Sequence, residues 1–183
     1  MPPETMWHTF FSPQETLLAL GLRSDMTNVV DFGCGYGTFT IPAAKIVARG
    51  VVHAFDIDED MIDATRNKAR QHNLSNVRLR QRDFASDGTG LADASADYVM
   101  LFNILHAEER DKLLVEAFRI LREGGGTLGI MHWNYDPTTP RGPSMDIRPK
   151  PEQCAAWAVD AGFVIMRPLV ELPPYHYGLI AKK

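Results

Sequence analysis

The sequence predicts an α/β protein: a doubly wound, mainly parallel sheet of seven strands with a reversed last strand and with helices on both faces. Two observations support this prediction. Short apolar runs alternate with helical patterns along most of the chain, which is the order expected of parallel strands joined by crossover helices. Towards the C-terminus, two strand-like runs follow one another with no helical pattern between them, so the final strand is expected to run antiparallel.

Composition limits the class of protein. With 183 residues the chain has the length of one domain, and its formal net charge of −4 gives no overall electrostatic attraction to nucleic acid or to an anionic membrane. Cys34 and Cys154 lie far apart and lack a C-x-x-C partner, so neither a metal site nor a disulfide framework is expected. No run approaches the roughly 18 apolar residues of a membrane span, and no secretory signal pattern is present. We therefore expect a cytoplasmic protein.

Residues 1–26 are predicted to form an N-terminal helix or lid. Ser12, Pro13 and Glu15 have the spacing of a helix start, with serine as the N-cap and glutamate completing a capping box. Gly21 suits the end of this helix. The aromatic residues before the helix are Trp7, Phe10 and Phe11. They either cover a bound ligand or pack the first helix on the sheet, and packing is the more common role of such residues.

The first strand leads into a loop with three alternate glycines. Val29 to Phe32 reads as a short buried strand, and Gly33, Gly35 and Gly37 follow before a helical pattern begins. Glycine permits backbone conformations that side chains forbid, so a ligand can lie against bare backbone there. The alternative is that the glycines make only a tight turn.

The glycine spacing and one carboxylate indicate the charge of the ligand. The dinucleotide fingerprint is G-x-G-x-x-G, whereas this loop reads G-x-G-x-G. Asp31 precedes the first glycine, where a carboxylate would repel a pyrophosphate and attract a cation. An ammonium or sulfonium compound therefore fits this loop better than NAD.

The motif resembles a known family. Asp31-Phe32-Gly33-Cys34-Gly35-Tyr36-Gly37 is similar to motif I of the class I S-adenosylmethionine-dependent methyltransferases. The resemblance covers residues 27–183 and includes Leu121-Arg122-Glu123-Gly124-Gly125 before the fifth strand. It implies an S-adenosylmethionine-binding methyltransferase domain over residues 27–183, and the sulfonium and ammonium of that cofactor agree with the charge argument.

A second strand, Val51 to Phe55, ends in acidic residues. Asp56 stands where a carboxylate after a glycine motif can accept hydrogen bonds from a ribose diol. The resemblance supports that role and implies that Ile57 packs on adenine. Asp58 suits the N-cap of the next helix. Met61 either flanks the base or fills the core.

A third strand is predicted from Val77 to Arg82, where apolar and basic residues alternate. This pattern is typical of an edge strand protected by cations, and a nucleic-acid surface is the less favoured interpretation. The resemblance implies that Asp83, at the end of this strand, accepts a hydrogen bond from the adenine amine and that Phe84 lies beside the ring. The alternative for Asp83 is a turn residue that satisfies local backbone.

The fourth strand, Asp97 to Phe102, is followed by two candidate site residues. Its C-terminal end is expected at the ligand crevice of a doubly wound sheet. Asn103 is therefore a candidate for binding cofactor or acceptor. His106 is a candidate for orienting or deprotonating the acceptor, although a histidine at the start of a helix is more often a cap or a surface residue.

The fifth strand, residues 127–133, contains His132 near its end and leads into a proline-rich loop over residues 134–150. An irregular segment longer than about 12 to 15 residues is usually functional or disordered. We expect a substrate lid, with a solvated connector as the alternative. Arg141 and Arg148 are weak candidates for binding a carboxylate or phosphate of the acceptor.

The remaining elements complete the sheet. A helix is predicted from Pro151 to Gly162, followed by strands over residues 163–166 and 175–181 with two prolines between them. The polar aromatic residues that open the last strand either pack in the sheet or face the acceptor; they are Tyr175, His176 and Tyr177.

These observations predict methyl transfer from S-adenosylmethionine to a small-molecule acceptor, with no nucleic-acid partner, no membrane and no metal. The cofactor-binding candidates are Asp31, Gly33, Cys34, Gly35, Gly37, Asp56, Ile57, Met61, Asp83, Phe84 and Asn103. The catalytic residue is unknown, and His106 and His132 are the first to test. Two alternatives remain: a non-catalytic sensor or partner subunit that binds the cofactor, and an NAD(P)-dependent oxidoreductase. The sequence does not indicate an oligomeric state.

Overall fold

The computed structural model describes residue 10 and residues 12–183. The elements in chain order are α1 (Pro13–Ala19), β1 (Asn28–Phe32), α2 (Thr40–Ile46), β2 (Val51–Asp56), α3 (Glu59–Gln71), β3 (Val77–Gln81), α4 (Phe84–Asp87), β4 (Tyr98–Phe102), α5 (Arg110–Ile120), β5 (Thr127–Trp133), α6 (Pro151–Asp160), β6 (Val164–Leu172) and β7 (His176–Lys182). The strands form one seven-stranded sheet in the order β3-β2-β1-β4-β5-β7-β6.

The strand directions confirm the predicted fold class. β7 runs antiparallel to both β5 and β6. The other neighbouring pairs are parallel. β3 lies at one edge of the sheet, as its alternating basic residues predicted.

The central strands are buried on both faces because helices cover each side of the sheet. Every residue of β4 and β5 is buried. Val99 and Leu101 of β4 pack in the apolar cluster that includes α5 and α6, whereas Tyr98 and Met100 pack in the cluster that includes α1 and α2. This alternation follows from the two-residue period of a strand. The ends of β1 and β4 meet at the point where the strand order reverses, which is the usual ligand crevice of such sheets.

Three local features differ from the sequence predictions. The capping box at Ser12 is wrong, since its hydroxyl makes no cap hydrogen bond. The sequence predicts that the helix after the glycine loop ends at Gly50, just before the second strand, but α2 ends at Ile46. Gly50 is needed for close packing instead, because an added Cβ would lie 2.6 Å from the Met26 carbonyl oxygen. β6 extends through Pro168, which an edge strand tolerates at its register shifts.

The aromatic residues near the N-terminus can be placed only in part. Trp7 and Phe11 lie outside the described residues. Phe10 is buried, and its ring lies 5.3 Å from the ring of Trp133 and 6.1 Å from that of Tyr175. Phe10 therefore packs against the end of β5. Within the described part of the chain, no helix has the length and apolar character needed to span a membrane.

Candidate functional site

The glycine loop is attached to β2 by its own backbone. The amides of Gly33 and Cys34 both donate to the carbonyl oxygen of Phe55, each at 2.9 Å. Gly33, Gly35 and Gly37 have positive φ angles of 76°, 52° and 75°. L residues with side chains rarely adopt this conformation. The loop therefore presents backbone, without side chains, at its glycine positions.

The third glycine is required by packing against α3. An added Cβ on Gly37 would lie 2.8 Å from Cγ2 of Thr65. The Thr65 hydroxyl donates to the Gly35 carbonyl oxygen at 2.7 Å. The loop is thus held from two sides, by the end of β2 and by the first half of α3.

Asp56 supports the glycine loop from the end of β2. Its Oδ2 accepts a hydrogen bond from the Gly35 amide at 2.8 Å, and its Oδ1 accepts one from the Asp58 amide at 3.1 Å. A carboxylate has about four lone-pair sites, so it can accept further hydrogen bonds. The predicted ribose contact is compatible with this geometry, but the bond to Gly35 was not foreseen. Asp58 caps α3 as predicted, because it accepts from the Asp60 amide at 2.9 Å.

Asp31 lies behind the loop and outside the cavity lining. Its side chain is buried and accepts a hydrogen bond from the Thr40 hydroxyl at 2.6 Å. Burial raises the pKa of the Asp31 carboxyl to about 6, while the Thr40 hydrogen bond opposes that rise and the charge of Asp56 adds to it. At neutral pH the carboxylate is therefore mostly ionised. Because Asp31 does not line the cavity, its charge could reach a ligand there only through its electric field.

A cavity of about 380 Å³ opens at the carboxyl ends of β1, β4 and β5. Its lining residues are Gly33, Cys34, Gly35, Tyr36, Thr38, Phe39, Phe102, Asn103, His106, Trp133, Arg141, Gly142 and Pro143. The glycine loop forms one wall, and the proline-rich loop contributes another. Trp133, at the end of the fifth strand, was expected near the mouth of the crevice and does line the cavity. Phe39 and Phe102 were not predicted as site residues, although their positions near the glycine motif and at a strand end were a signal for them.

Two polar atoms on the cavity residues have no protein partner. Oδ1 of Asn103 and Nδ1 of His106 are buried and make no hydrogen bond. Asn103 also has a positive φ of 55°, which is unusual for a residue other than glycine. Unpaired buried polar atoms and strained backbone are both costly and cluster at functional sites. A ligand with complementary polar groups would satisfy them.

His132 is fully buried and does not line this cavity. Its Nδ1 accepts from the Trp133 amide at 3.0 Å, so the proton of the neutral ring resides on Nε2, which has no partner. Its ring lies 5.5 Å from that of His106. Burial, with the nearby charges of His106, His176 and Arg148, lowers the pKa of His132 to about 3. His132 is therefore neutral and lies behind His106.

A groove of about 270 Å³ lies on the other side of Gly33. Its wall includes Ile57, Asp83, Phe84 and Ile104. An added Cβ on Gly33 would lie 3.2 Å from Cδ1 of Ile104 and 4.0 Å from Cζ of Phe84, so the first glycine of the loop borders the wall of this groove.

The remaining cofactor candidates have structural roles of their own. Asp83 accepts from the Ser86 amide at 3.1 Å as the N-cap of α4, which is the local role that its sequence left open. Met61 is buried on α3 and lines neither the cavity nor the groove. Burial raises the pKa of the Cys34 thiol, so that thiol is neutral. Among the described residues there is no cluster of three or more side chains able to hold a metal ion.

The proline-rich loop is organised by Arg148. The buried guanidinium donates to the carbonyl oxygens of Pro143, Asn134 and Asp136 and to the hydroxyl of Thr139. Its donors are occupied within the loop, so the expectation that Arg148 grips the acceptor is wrong. Arg141 does line the cavity. Tyr175, His176 and Tyr177 are not among the cavity residues; the Tyr177 hydroxyl, for example, donates to the Pro149 carbonyl oxygen at 2.9 Å.

Comparison with known proteins gives one family. A family model described as a methyltransferase domain matches residues 23–146. A solved structure of a SAM-dependent methyltransferase from Aquifex aeolicus aligns with a TM-score of 0.83 and 26% identity, covering 94% of this chain and 89% of that one.

Curated relatives match parts of the chain. Ribosomal protein L11 methyltransferase of Thermoanaerobacter pseudethanolicus is 35% identical over 97 residues, which is 53% of this chain and 29% of that protein. Aklanonic acid methyltransferase DauC of Streptomyces sp. strain C5 is 33% identical over 120 residues, which is 63% of this chain and 53% of that protein. The rRNA N(6)-adenosine-methyltransferase METTL5 of Danio rerio is 41% identical over 64 residues, covering 35% of this chain and 30% of that protein. The chain thus spans about half or less of the length of these relatives.

The names of these relatives correct one expectation. They include a ribosomal protein and rRNA beside a small molecule. The prediction of a small-molecule acceptor without nucleic acid is therefore wrong as a restriction. Net charge misled here because a chain with a net negative charge can still have local surfaces that bind an RNA or a protein.

Proposed function

Because the chain belongs to the methyltransferase domain family, we propose that it transfers a methyl group from S-adenosylmethionine to an acceptor whose identity the family leaves open. The observation that carries this proposal is the 380 Å³ cavity between the bare glycine loop and the two unpartnered polar atoms of Asn103 and His106. The chain's family confirms the resemblance that motif I suggested.

The residues present fit the cofactor. The methionine part would lie in the cavity against the glycine loop, and the adenine would lie in the groove between Ile57 and Phe84. Asp56 lies at the end of β2, next to the glycine loop, and retains acceptor capacity for the ribose hydroxyls. Asn103 Oδ1 would accept from the ammonium or from the acceptor. An NAD pyrophosphate fits this site poorly, since the ionised Asp31 lies directly behind the loop.

The protein's contribution to the chemistry is orientation and exclusion of water. When bound, S-adenosylmethionine supplies a methyl group already activated by its sulfonium, and the acceptor's lone pair displaces a neutral thioether from that carbon. The rings of Phe39, Phe102 and Trp133 form an apolar wall at the cavity. Phe39 and Phe102 are locked edge to face, with ring centroids 4.8 Å apart. Fixing two reactants in line can supply on the order of 7 to 11 kcal/mol of the barrier.

His106 is the proposed general base for an acceptor that binds protonated. It lines the cavity, and its Nδ1 is buried without a partner. Burial lowers the pKa of His106, so the imidazole is neutral at pH 7 and can accept a proton. His132 packs against it edge to face and would help fix its ring.

Calorimetry with S-adenosylhomocysteine, S-adenosylmethionine and NAD tests the proposal. We expect the first two to bind and NAD not to bind. Radiolabelled methyl transfer is then measured against small aromatic acids, rRNA fragments and ribosomal protein L11. Binding of NAD without either sulfur nucleoside would contradict the proposal, and binding without turnover on any acceptor would favour the sensor alternative.

A further inference from the structure

A second and larger cavity adjoins the first. It has a volume of about 600 Å³ and lies between the proline-rich loop, the start of α5 and α6. His106 lines both cavities, so they share a wall at the proposed base. A molecule in the second cavity therefore borders the region into which the methyl group would point.

Two cations of this cavity are held on aromatic faces. The Arg110 guanidinium lies 4.4 Å from the ring centroid of Trp157, and its Nε is buried without a hydrogen-bond partner. The Lys150 ammonium lies 4.7 Å from the ring centroid of Tyr135. Stacking on a ring orients a cation but leaves its hydrogen-bond donors unused. Both side chains thus retain donors for a ligand.

The charges around this cavity have not neutralised one another. Within the part of the chain that the structure describes, neither Arg110, Lys150 nor Arg148 forms an ion pair with a carboxylate. Arg148 is held by backbone carbonyls and a threonine hydroxyl. Glu108 and Asp146 also line the cavity but are exposed and remain apart from these cations. An anion placed there would be the first negatively charged hydrogen-bond partner of Arg110 and Lys150.

We propose that the second cavity binds the methyl acceptor and that this acceptor carries a phosphate or carboxylate beside a planar ring. This inference rests on the proposed function, because the methyl group lies beside the second cavity only if S-adenosylmethionine binds in the first. Arg110 and Lys150 provide the charge, while Trp157 and Tyr135 provide rings on which a planar group stacks. The chain is acidic overall, with a net charge of −4, so a cavity in which Arg110 and Lys150 both lack a carboxylate partner is a local departure from its average. A free aromatic acid and a nucleotide of an RNA share this chemistry.

The probes are phenyl phosphate and its neutral relative benzyl alcohol. Each is titrated by calorimetry into the full chain saturated with S-adenosylhomocysteine. Phenyl phosphate is expected to bind at least about tenfold more tightly than benzyl alcohol, since about 1.4 kcal/mol corresponds to a tenfold change and charged hydrogen bonds contribute about that much. Equal affinity of the two probes, or no binding of phenyl phosphate, would overturn the proposal.

Three variants locate the binding. Lys150→Gln changes an exposed side chain and should weaken the binding of phenyl phosphate about threefold. Arg110→Gln should weaken that binding about tenfold. Arg110→Lys keeps the charge and should recover part of the loss. Arg70→Gln is the matched control, because Arg70 is an exposed cation on α3 that lines neither cavity. Equal losses in the control and in Lys150→Gln would place the anion elsewhere and contradict the assignment.

The same titrations separate this inference from the proposed function. If S-adenosylhomocysteine does not bind, the proposed function fails; if it binds normally and phenyl phosphate does not, only the acceptor inference fails. Competition with a short single-stranded RNA identifies the source of the anion. Displacement of phenyl phosphate by RNA supports a nucleotide acceptor, and binding of phenyl phosphate that RNA does not disturb supports a free acid.

Discussion

The two loops that border the cavity are stabilised in different ways. The glycine loop is fixed by groups from neighbouring strands and helices: the Phe55 carbonyl, the Asp56 carboxylate and the Thr65 hydroxyl. The proline-rich loop is fixed mainly from within, by one guanidinium that binds the loop's own carbonyl oxygens. The first loop is thus held by the sheet and α3, whereas the second is held mostly by contacts among its own residues.

This difference fits the proposal that the glycine loop binds the cofactor and that the proline-rich loop borders the acceptor. A shared cofactor needs the same geometry in every relative, which a scaffold-bound loop supplies. The acceptors named for the relatives are ribosomal protein L11, rRNA and aklanonic acid. A loop that is held by its own contacts suits that variation.

The largest expected effect is on catalysis at the shared wall of the two cavities. His106→Gln should lower kcat by about 10² to 10⁴ with an accepted substrate, because general-base catalysis contributes that much. Affinity for S-adenosylhomocysteine should stay unchanged. Because burial lowers the pKa of His106, the wild-type rate should already be on its plateau at neutral pH and fall as the pH drops below the usual range for histidine. Steady-state kinetics across pH measures this.

The control for that variant is His72→Gln, since His72 lies on the surface at the end of α3. It should keep full activity. A His106→Gln enzyme with wild-type kcat at every pH would remove the general base from the mechanism.

The next effect concerns the proline-rich loop. Arg148→Met keeps much of the apolar stem but leaves several buried carbonyl oxygens without donors, so we expect a loss of about 3 kcal/mol in the free energy of unfolding or local opening of the loop. Limited proteolysis should cut within residues 134–147, while Arg23→Met, which changes an exposed arginine, should behave as wild type. If Arg148→Met resisted proteolysis as well as the wild type does, the proposed role of this guanidinium in stabilising the proline-rich loop would be contradicted.

The glycine loop has a matched pair of glycines for comparison. Gly37 and Gly124 have similar φ angles of 75° and 67°, but only Gly37 has a close neighbour, while Gly124 has no atom within 4 Å of an added Cβ. Each change to alanine costs about 1 to 2 kcal/mol for the left-handed backbone. Gly37→Ala should cost about 2 kcal/mol more because of the contact with Thr65. Chemical unfolding of both variants measures the difference, and equal losses would show that Thr65 moves aside.

A smaller effect is expected at Asp56. Asp56→Ala should weaken cofactor binding by about 1.5 to 3 kcal/mol, the range for hydrogen bonds to a charged group. Because Asp56 also holds Gly35, calorimetry should compare 5′-methylthioadenosine with its 2′-deoxy form in both proteins. Discrimination between them should be present in the wild type and lost in the variant. An unchanged dissociation constant in a folded Asp56→Ala protein would reject the ribose assignment.

The same contrast explains what the sequence could predict. Strand periodicity and the alternate glycines were sufficient for the sheet and the glycine loop, because those elements depend on local pattern and on a close backbone approach. Asp56 was identified from its position at a strand end, but its bond to Gly35 depends on the three-dimensional path of the loop. Arg148 could not be placed, because its partners are carbonyl oxygens, which every residue has and which leave no pattern in a sequence.

The second cavity could not be predicted from the sequence either. Arg110 opens α5, whereas Lys150 is the N-cap of α6 and Trp157 lies within α6, so the cavity combines residues that are far apart in the sequence. Their juxtaposition depends on how α5, α6 and the proline-rich loop meet. His106, the candidate base, was predicted in part. The sequence identified it by its position after β4, while its buried, unpartnered Nδ1 is visible only in the structure.

Asp31 makes the stability of the fold depend on pH. Its pKa of about 6 in the folded protein lies above the ordinary value of 3.8, so the folded state binds this proton more tightly than the unfolded state does. This group therefore stabilises the fold most at low pH, and that stabilisation is lost as the pH rises from about 4 to about 6. Asp31→Asn should be more stable than wild type at neutral pH, which thermal unfolding can measure.

The most direct test of the account is calorimetric titration of S-adenosylmethionine into the wild type and Asp31→Asn from about pH 5 to about pH 8. The account predicts that wild-type affinity increases as Asp31 ionises near pH 6, and that Asp31→Asn binds about tenfold more weakly at neutral pH with no such rise. Absence of binding to the wild type at every pH would contradict it, and identical pH profiles for the two proteins would remove Asp31 from cofactor recognition.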